Sequence, residues 1–137
     1  MDADEEALKQ GPTMWNQYVR RRRAEGHRAD LRGAHLSGAD LSDTDLAHAD
    51  LRGAVLCASY LMSADLRGAD LDGADLSEAY LIRADLVNCR LVGADLDGAD
   101  LSGADLTGAH LDPSFTRSQV ISDYLTIWPS KGKESHQ

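Results

Sequence analysis

The chain has 137 residues, enough for one domain. It is 42% hydrophobic but only 5% aromatic, so its core must be aliphatic, and a formal charge of -9 argues against nucleic acid or an anionic membrane as its partner. Cys57 and Cys89 fit neither a disulfide framework nor a Cys-x-x-Cys site, which points to a reduced, cytoplasmic protein.

Residues 1–11 open with "MDADEEALKQ", which is acidic and has no apolar stretch. It reads as a disordered tail rather than a secretory signal. No segment approaches the roughly 20 apolar residues a membrane span needs. Residues 12–28 predict a helix that caps whatever follows. Thr13 is placed to N-cap it and Gly26 to end it. Trp15, Tyr18 and Val19 share one face. Arg20 to Arg23 fall in the second half, where cations suit the helix dipole. In so acidic a chain they are expected to face carboxylates rather than nucleic acid.

From Leu31 to Leu111, leucine holds every fifth position, 17 times without a slip. The residue two before it is alanine in 14 cases and Thr44, Ser59 or Cys89 in the rest; the residue between is aspartate in 11. The second residue after the leucine is glycine in nine. The unit is A-D-L-x-G, over residues 29–113. A period of five would smear leucine around a helix and alternate it across a strand. The chain must instead turn once per repeat and coil into a solenoid. Alanine and leucine then face inward, glycine makes the corner, and aspartate accepts nearby backbone N–H groups.

The units "ADLRG", "ADLSG", "ADLDG" and "ADLTG" closely resemble the pentapeptide-repeat family. The resemblance implies an all-β solenoid, a right-handed quadrilateral parallel β-helix of about four coils with four repeats per coil. At about 4.8 Å per coil the rod is about 20 Å long. Residues twenty apart stack, so Leu31, Leu51, Leu71, Leu91 and Leu111 form one core column. Asp45, Asp65, Asp85 and Asp105 form an outer one, read as turn acceptors rather than calcium ligands.

Residues 114–129 carry a capping box at Thr116 and Gln119, then a short helix to about Asp123. Phe115, Val120, Ile121, Tyr124, Leu125, Ile127 and Trp128 make the segment too apolar for a free tail. It is expected to lid its own coil, giving a monomer, or to join two chains in a homodimer. Residues 130–137 read as a second disordered tail.

None of the five histidines has a partner at metal-ligand spacing, and no nucleophile, phosphate or dinucleotide motif occurs. No cofactor, metal or catalytic residue is expected. Apolar and basic residues at outward positions are the informative exceptions. Tyr60 and Tyr80 stand twenty apart, as do Met62 and Ile82, with Arg83 and Val87 nearby. These six are the candidate protein-contact patch. The expected function is a rigid, non-catalytic acidic scaffold for another protein. The family's quinolone-resistance members, which bind type II topoisomerases, imply an alternative: carboxylates that mimic DNA before a DNA gyrase or topoisomerase. Leucine at all 17 central positions, with Phe115 outside the repeat, departs from those members.

Overall fold

The computed structural model describes residues 3–130. Its central feature is a ladder of parallel bridges at a constant separation of twenty residues. Asp30 pairs with Asp50, His35 with Val55, Asp40 with Tyr60, and Asp45 with Asp65, and each column continues upward. Twenty residues therefore make one circuit of four sides. Among the described residues the only bridges long enough to count as strands are β1 (Arg90–Leu91) and β2 (His110–Leu111), which pair in parallel. Each side is too short to be a longer strand because the chain turns after two residues.

Three backbone bonds per repeat tie one circuit to the next. On the first side, Asp50 N–H donates to Ala29 O at 2.9 Å, Leu31 N–H to Asp50 O at 2.8 Å, and Gly33 N–H to Arg52 O at 3.0 Å. The corner itself closes with Ala34 N–H on Leu31 O at 3.1 Å. After every leucine but the last, Leu111, where Pro113 ends the repeat, the second residue takes a positive φ. Where it is not glycine it is Asp43, His48, Ala58, Ser63, Glu78, Arg83 or Asn88, with φ between 56 and 63°. The corner demands this conformation and glycine meets it without a Cβ penalty, which explains the glycine of the repeat.

Leucine and alanine fill the interior. Leu31, Leu51, Leu71 and Leu91 are buried, while Leu111, the top of that column, is only partly so because no further circuit covers it. Cys89 takes an inward alanine position and is fully buried. Thr44 also points inward, with its hydroxyl donating to Leu41 O at 2.6 Å.

At the N-terminal end the structure departs from the expectation of a tail over residues 1–11. Ala3–Leu8 form a helix, α1, with Leu8 buried. Helix α2 spans Pro12–Ala24 and is N-capped by Gly11 rather than Thr13. Pro12 suits the first helical position, since it has no N–H to orphan, and so starts the helix ahead of Thr13. Gly26 ends it as expected: Gly26 N–H donates to Arg23 O and His27 N–H to Arg22 O, a Schellman turn. Trp15 and Val19 are buried against the first circuit, and Trp15 Nε1 donates to Asp45 O at 2.7 Å.

The lowest circuit has amides with no circuit beneath them. Three of these are taken by side chains from the N-terminal helices. Asp30 N–H donates to Asp4 Oδ2 at 2.7 Å, His35 N–H to Glu5 Oε2 at 3.4 Å, and Asp45 N–H to Asn16 Oδ1 at 2.8 Å.

At the C-terminal end a 3-10 turn at Arg117–Gln119 replaces the expected helix to Asp123. Gln119 Oε1 accepts the Thr116 amide at 2.6 Å, the return arm of the predicted capping box. The chain then rejoins the ladder, with Ile121 bridging Asp100 and Ile127 bridging Asp105. Pairing with the sheet edge claims the backbone that a helix would need. Phe115, Val120 and Trp128 pack on the core, but Ile121, Tyr124, Leu125 and Ile127 stay exposed. Both isoleucines stand where the repeat puts outward aspartate. The expected tail at 130–137 lies, apart from Ser130, outside the described residues.

Candidate protein-contact surface

All eleven repeat aspartates do one structural job. Each turns its Oδ1 onto the amide two residues ahead, as Asp75 does with Ser77 N–H at 3.0 Å and Asp105 with Thr107 N–H at 3.0 Å. This is an Asx-type turn, repeated at every corner that aspartate precedes. The Asp45, Asp65, Asp85, Asp105 column is thus built of turn acceptors. Among the described residues no group of three or more His, Cys, Asp or Glu is placed to hold a metal ion.

Charge is distributed unevenly along the rod. In the lower half, arginine two residues on folds back onto the aspartate. Arg32 forks onto Asp30 with both bonds at 2.9 Å, Arg52 onto Asp50 at 2.9 and 2.7 Å, and Arg67 onto Asp65 at 2.9 and 2.7 Å. These forks hold the three carboxyls below the usual carboxylate range. Burial alone would push Asp45 up; the Arg23 fork, at 3.2 and 3.0 Å, the Ala47 amide and Arg20 outweigh it and hold it low. The arginine run of α2 therefore meets a carboxylate. In the upper half, Asp75, Asp95, Asp97, Asp100, Asp105 and Asp112 make no ion pair among the described residues.

The third side breaks this pattern. Its outward column runs Asp40, Tyr60, Tyr80, Asp100, Ile121. The tyrosine rings stack with centroids 4.9 Å apart and planes 5° from parallel. They remain 42% and 39% exposed, so the stack lies on the surface. Met62 and Ile82 follow them two residues on; Met62 is exposed and Ile82 half-buried. With tyrosine in place of aspartate, the Met62 and Ile82 amides have no Asx acceptor.

Of the six predicted patch residues, four are gathered here. Arg83 sits at the next corner with φ 59°, exposed, its side chain running up over Gly103. Val87 stands on the fourth side, its amide held by Asp85 at 3.1 Å, and lines a shallow pocket with His48, Arg67, Gly68 and Asn88. Sequence reasoning missed Asp4, Glu5 and Asn16, whose role exists only once an open circuit edge is present beside them.

Fold and surface define a four-sided solenoid of five-residue repeats, with a leucine-filled interior and a largely acidic wall that carries an aromatic-aliphatic strip on its third side. The chain belongs to the pentapeptide-repeat family: the model for "Pentapeptide repeats (8 copies)" matches residues 27–57, 39–77 and 74–112. That family's fold is the right-handed quadrilateral β-helix. Among solved structures, the pentapeptide repeat protein Rfr23 of the cyanobacterium Cyanothece 51142 is similar at 34% identity and TM-score 0.63, over 71% of this chain and 65% of that one. The chain thus spans just under two-thirds of Rfr23. A pentapeptide repeat protein of the Arabidopsis thaliana thylakoid lumen matches at 29% identity and TM-score 0.43, over 81% of this chain and 74% of that one. The plasmid-mediated fluoroquinolone resistance protein QnrB1 matches at 23% and 0.37, over 84% of this chain and 65% of that one. The last two likenesses are too loose to bear on function. A search of curated proteins finds no match.

Proposed function

We propose that the chain is a non-catalytic scaffold of the reducing cytoplasm that binds another protein through its third side. The observation that supports this is the stacked Tyr60–Tyr80 pair, exposed in a largely acidic wall and continued by Met62 and Ile82. Large apolar groups on a rigid backbone lose little entropy on docking, and tyrosine is enriched where binding energy concentrates. A leucine-filled interior leaves no room for a buried reaction site.

The test is photo-crosslinking in cells from a reactive amino acid placed at position 62, with position 37, exposed on the second side, as control. One discrete partner should be captured from 62 alone, and the capture should be lost in the Tyr80→Ala, Ile82→Ser double variant. Unchanged capture by that variant would reject the patch.

A second reading has the unpaired carboxylates of the upper half standing in for DNA phosphates before a type II topoisomerase. The arginine forks of the lower half weigh against it, since they neutralise Asp30, Asp50 and Asp65 on such a surface. Gyrase supercoiling with purified protein decides: inhibition, or protection from a fluoroquinolone, supports this reading, and unaltered supercoiling ends it.

A further inference from the structure

The C-terminal segment completes three sides of the last circuit and leaves one open. On the first side, His110 N–H donates to Cys89 O at 2.9 Å. On the third, Ile121 N–H donates to Ala99 O at 2.8 Å and its carbonyl accepts Leu101 N–H at 2.7 Å. On the fourth, Ile127 does the same for Ala104 O at 2.9 Å and Leu106 N–H at 2.7 Å. The second side ends at the Asp75–Asp95 bridge. Among the described residues nothing pairs with Ala94 O or Leu96 N–H, the two groups that answer to Ala99 O and Leu101 N–H. They face a cleft of about 240 Å³ lined by Asp95, Asp97, Asp112, Ser114, Phe115 and Gln119. Chain passes over this side without forming a bridge: Gln119 O accepts Gly98 N–H at 2.7 Å, Gln119 Nε2 donates to Asp97 Oδ1 at 2.9 Å, and Asp112 Oδ1 accepts Gly93 N–H at 3.0 Å, but none of these reaches Ala94 O or Leu96 N–H.

We propose that this edge is a docking site for an extended, basic segment of a partner protein, which adds one β-bridge to the second side. One residue of the incoming strand would donate to Ala94 O and accept from Leu96 N–H, as Ile121 does one side away. An unpaired edge offers main-chain bonds to any extended chain; charge selects the basic one. Asp95, Asp97 and Asp112 ring the cleft without an ion pair, unlike the arginine-bridged aspartates of the lower half. Phe115, packed on the core beneath, offers an apolar floor for the stem of a lysine or arginine. The site lies on a different side from the tyrosine patch and does not depend on it.

The test is NMR titration of the ¹⁵N-labelled full chain with the peptide Ac-Lys-Val-Lys-Val-Lys-NH2. Leu96 N–H should shift with the largest amplitude. The acidic counterpart with glutamate at each lysine, and the basic peptide N-methylated at all five residues, should leave it in place. The Asp97→Asn, Asp112→Asn pair should weaken binding about tenfold. The Tyr80→Ala, Ile82→Ser variant should bind normally, which separates this site from the patch. Equal binding of the N-methylated peptide, or shifts centred away from Leu96, would overturn the proposal. So would binding that appears only when the chain is cut after Ser130, because the chain's own last residues would then be the occupant.

Discussion

Asp4 Oδ2 accepts the Asp30 amide at 2.7 Å, in the place that a carbonyl of the circuit below, Ala29, Ala49, Ala69 or Cys89, holds in every later circuit. The carboxylate of a six-residue helix thus stands in for an absent turn of the solenoid. Replacing Asp4 by Ala strands a part-buried donor, and should lower stability by about 1–3 kcal/mol. Urea unfolding reads this as a lower midpoint at unchanged slope. Asp4→Asn, which keeps an acceptor, should lose less, and Glu6→Ala, exposed on the same helix, should lose nothing measurable.

The arginine forks make stability sensitive to acid. Asp30, Asp50, Asp65 and Asp45 titrate lower folded than unfolded. The stability they contribute is complete above the unfolded carboxyl value of about 3.9 and is lost as pH falls through the lower folded values. The urea midpoint should therefore stay level from about pH 7 to 5 and drop below about 4. The triple variant Arg32→Gln, Arg52→Gln, Arg67→Gln should start lower and fall less steeply. An identical acid slope would show that the forks contribute nothing, as exposed pairs often do.

The corner conformation can be isolated from packing. A Cβ on Gly53, at φ 67°, would meet nothing within 4 Å. Gly53→Ala should then cost only the left-handed penalty, about 1–2 kcal/mol. Ala58, already at φ 56°, offers the reverse: Ala58→Gly should raise stability by about 1 kcal/mol. Thermal unfolding of both variants checks the pair.

The two thiols should differ in reactivity. Burial pushes the Cys89 thiol up to about 12, whereas Cys57 is partly exposed beside Ser37 Oγ at 3.1 Å. Iodoacetamide at about pH 8 should modify Cys57 and spare Cys89 until the protein is unfolded, as mass spectrometry of the tryptic peptides will show.

The regular part of the molecule was legible because each residue type answers to one local demand. Leucine spacing placed the inward positions, glycine marked the left-handed corners, and the columns and the Tyr60–Tyr80 stack followed once the family resemblance supplied four repeats per coil. What escaped was non-local. Nothing in "ADEEAL" signals a helix whose carboxylates are needed by amides some thirty residues on. Pro12 moved the start of α2 ahead of Thr13. At the other end, local signals in "TRSQVISD" favoured a helix, but the free edges at Asp100 and Asp105 captured Ile121 and Ile127 first. Val87 fell outside the patch because proximity in sequence carried it round a corner.

A circuit of twenty residues split into four sides also makes the protein a dial. Inserting one whole circuit between Gly73 and Ala74 would move the two ends about 4.8 Å further apart and leave every side facing as before. Inserting a single five-residue unit would instead swing everything above it by a quarter turn, so that Tyr60 and Tyr80 would no longer share a side. Length and bearing are thus set by the same count, and only multiples of twenty change one without the other.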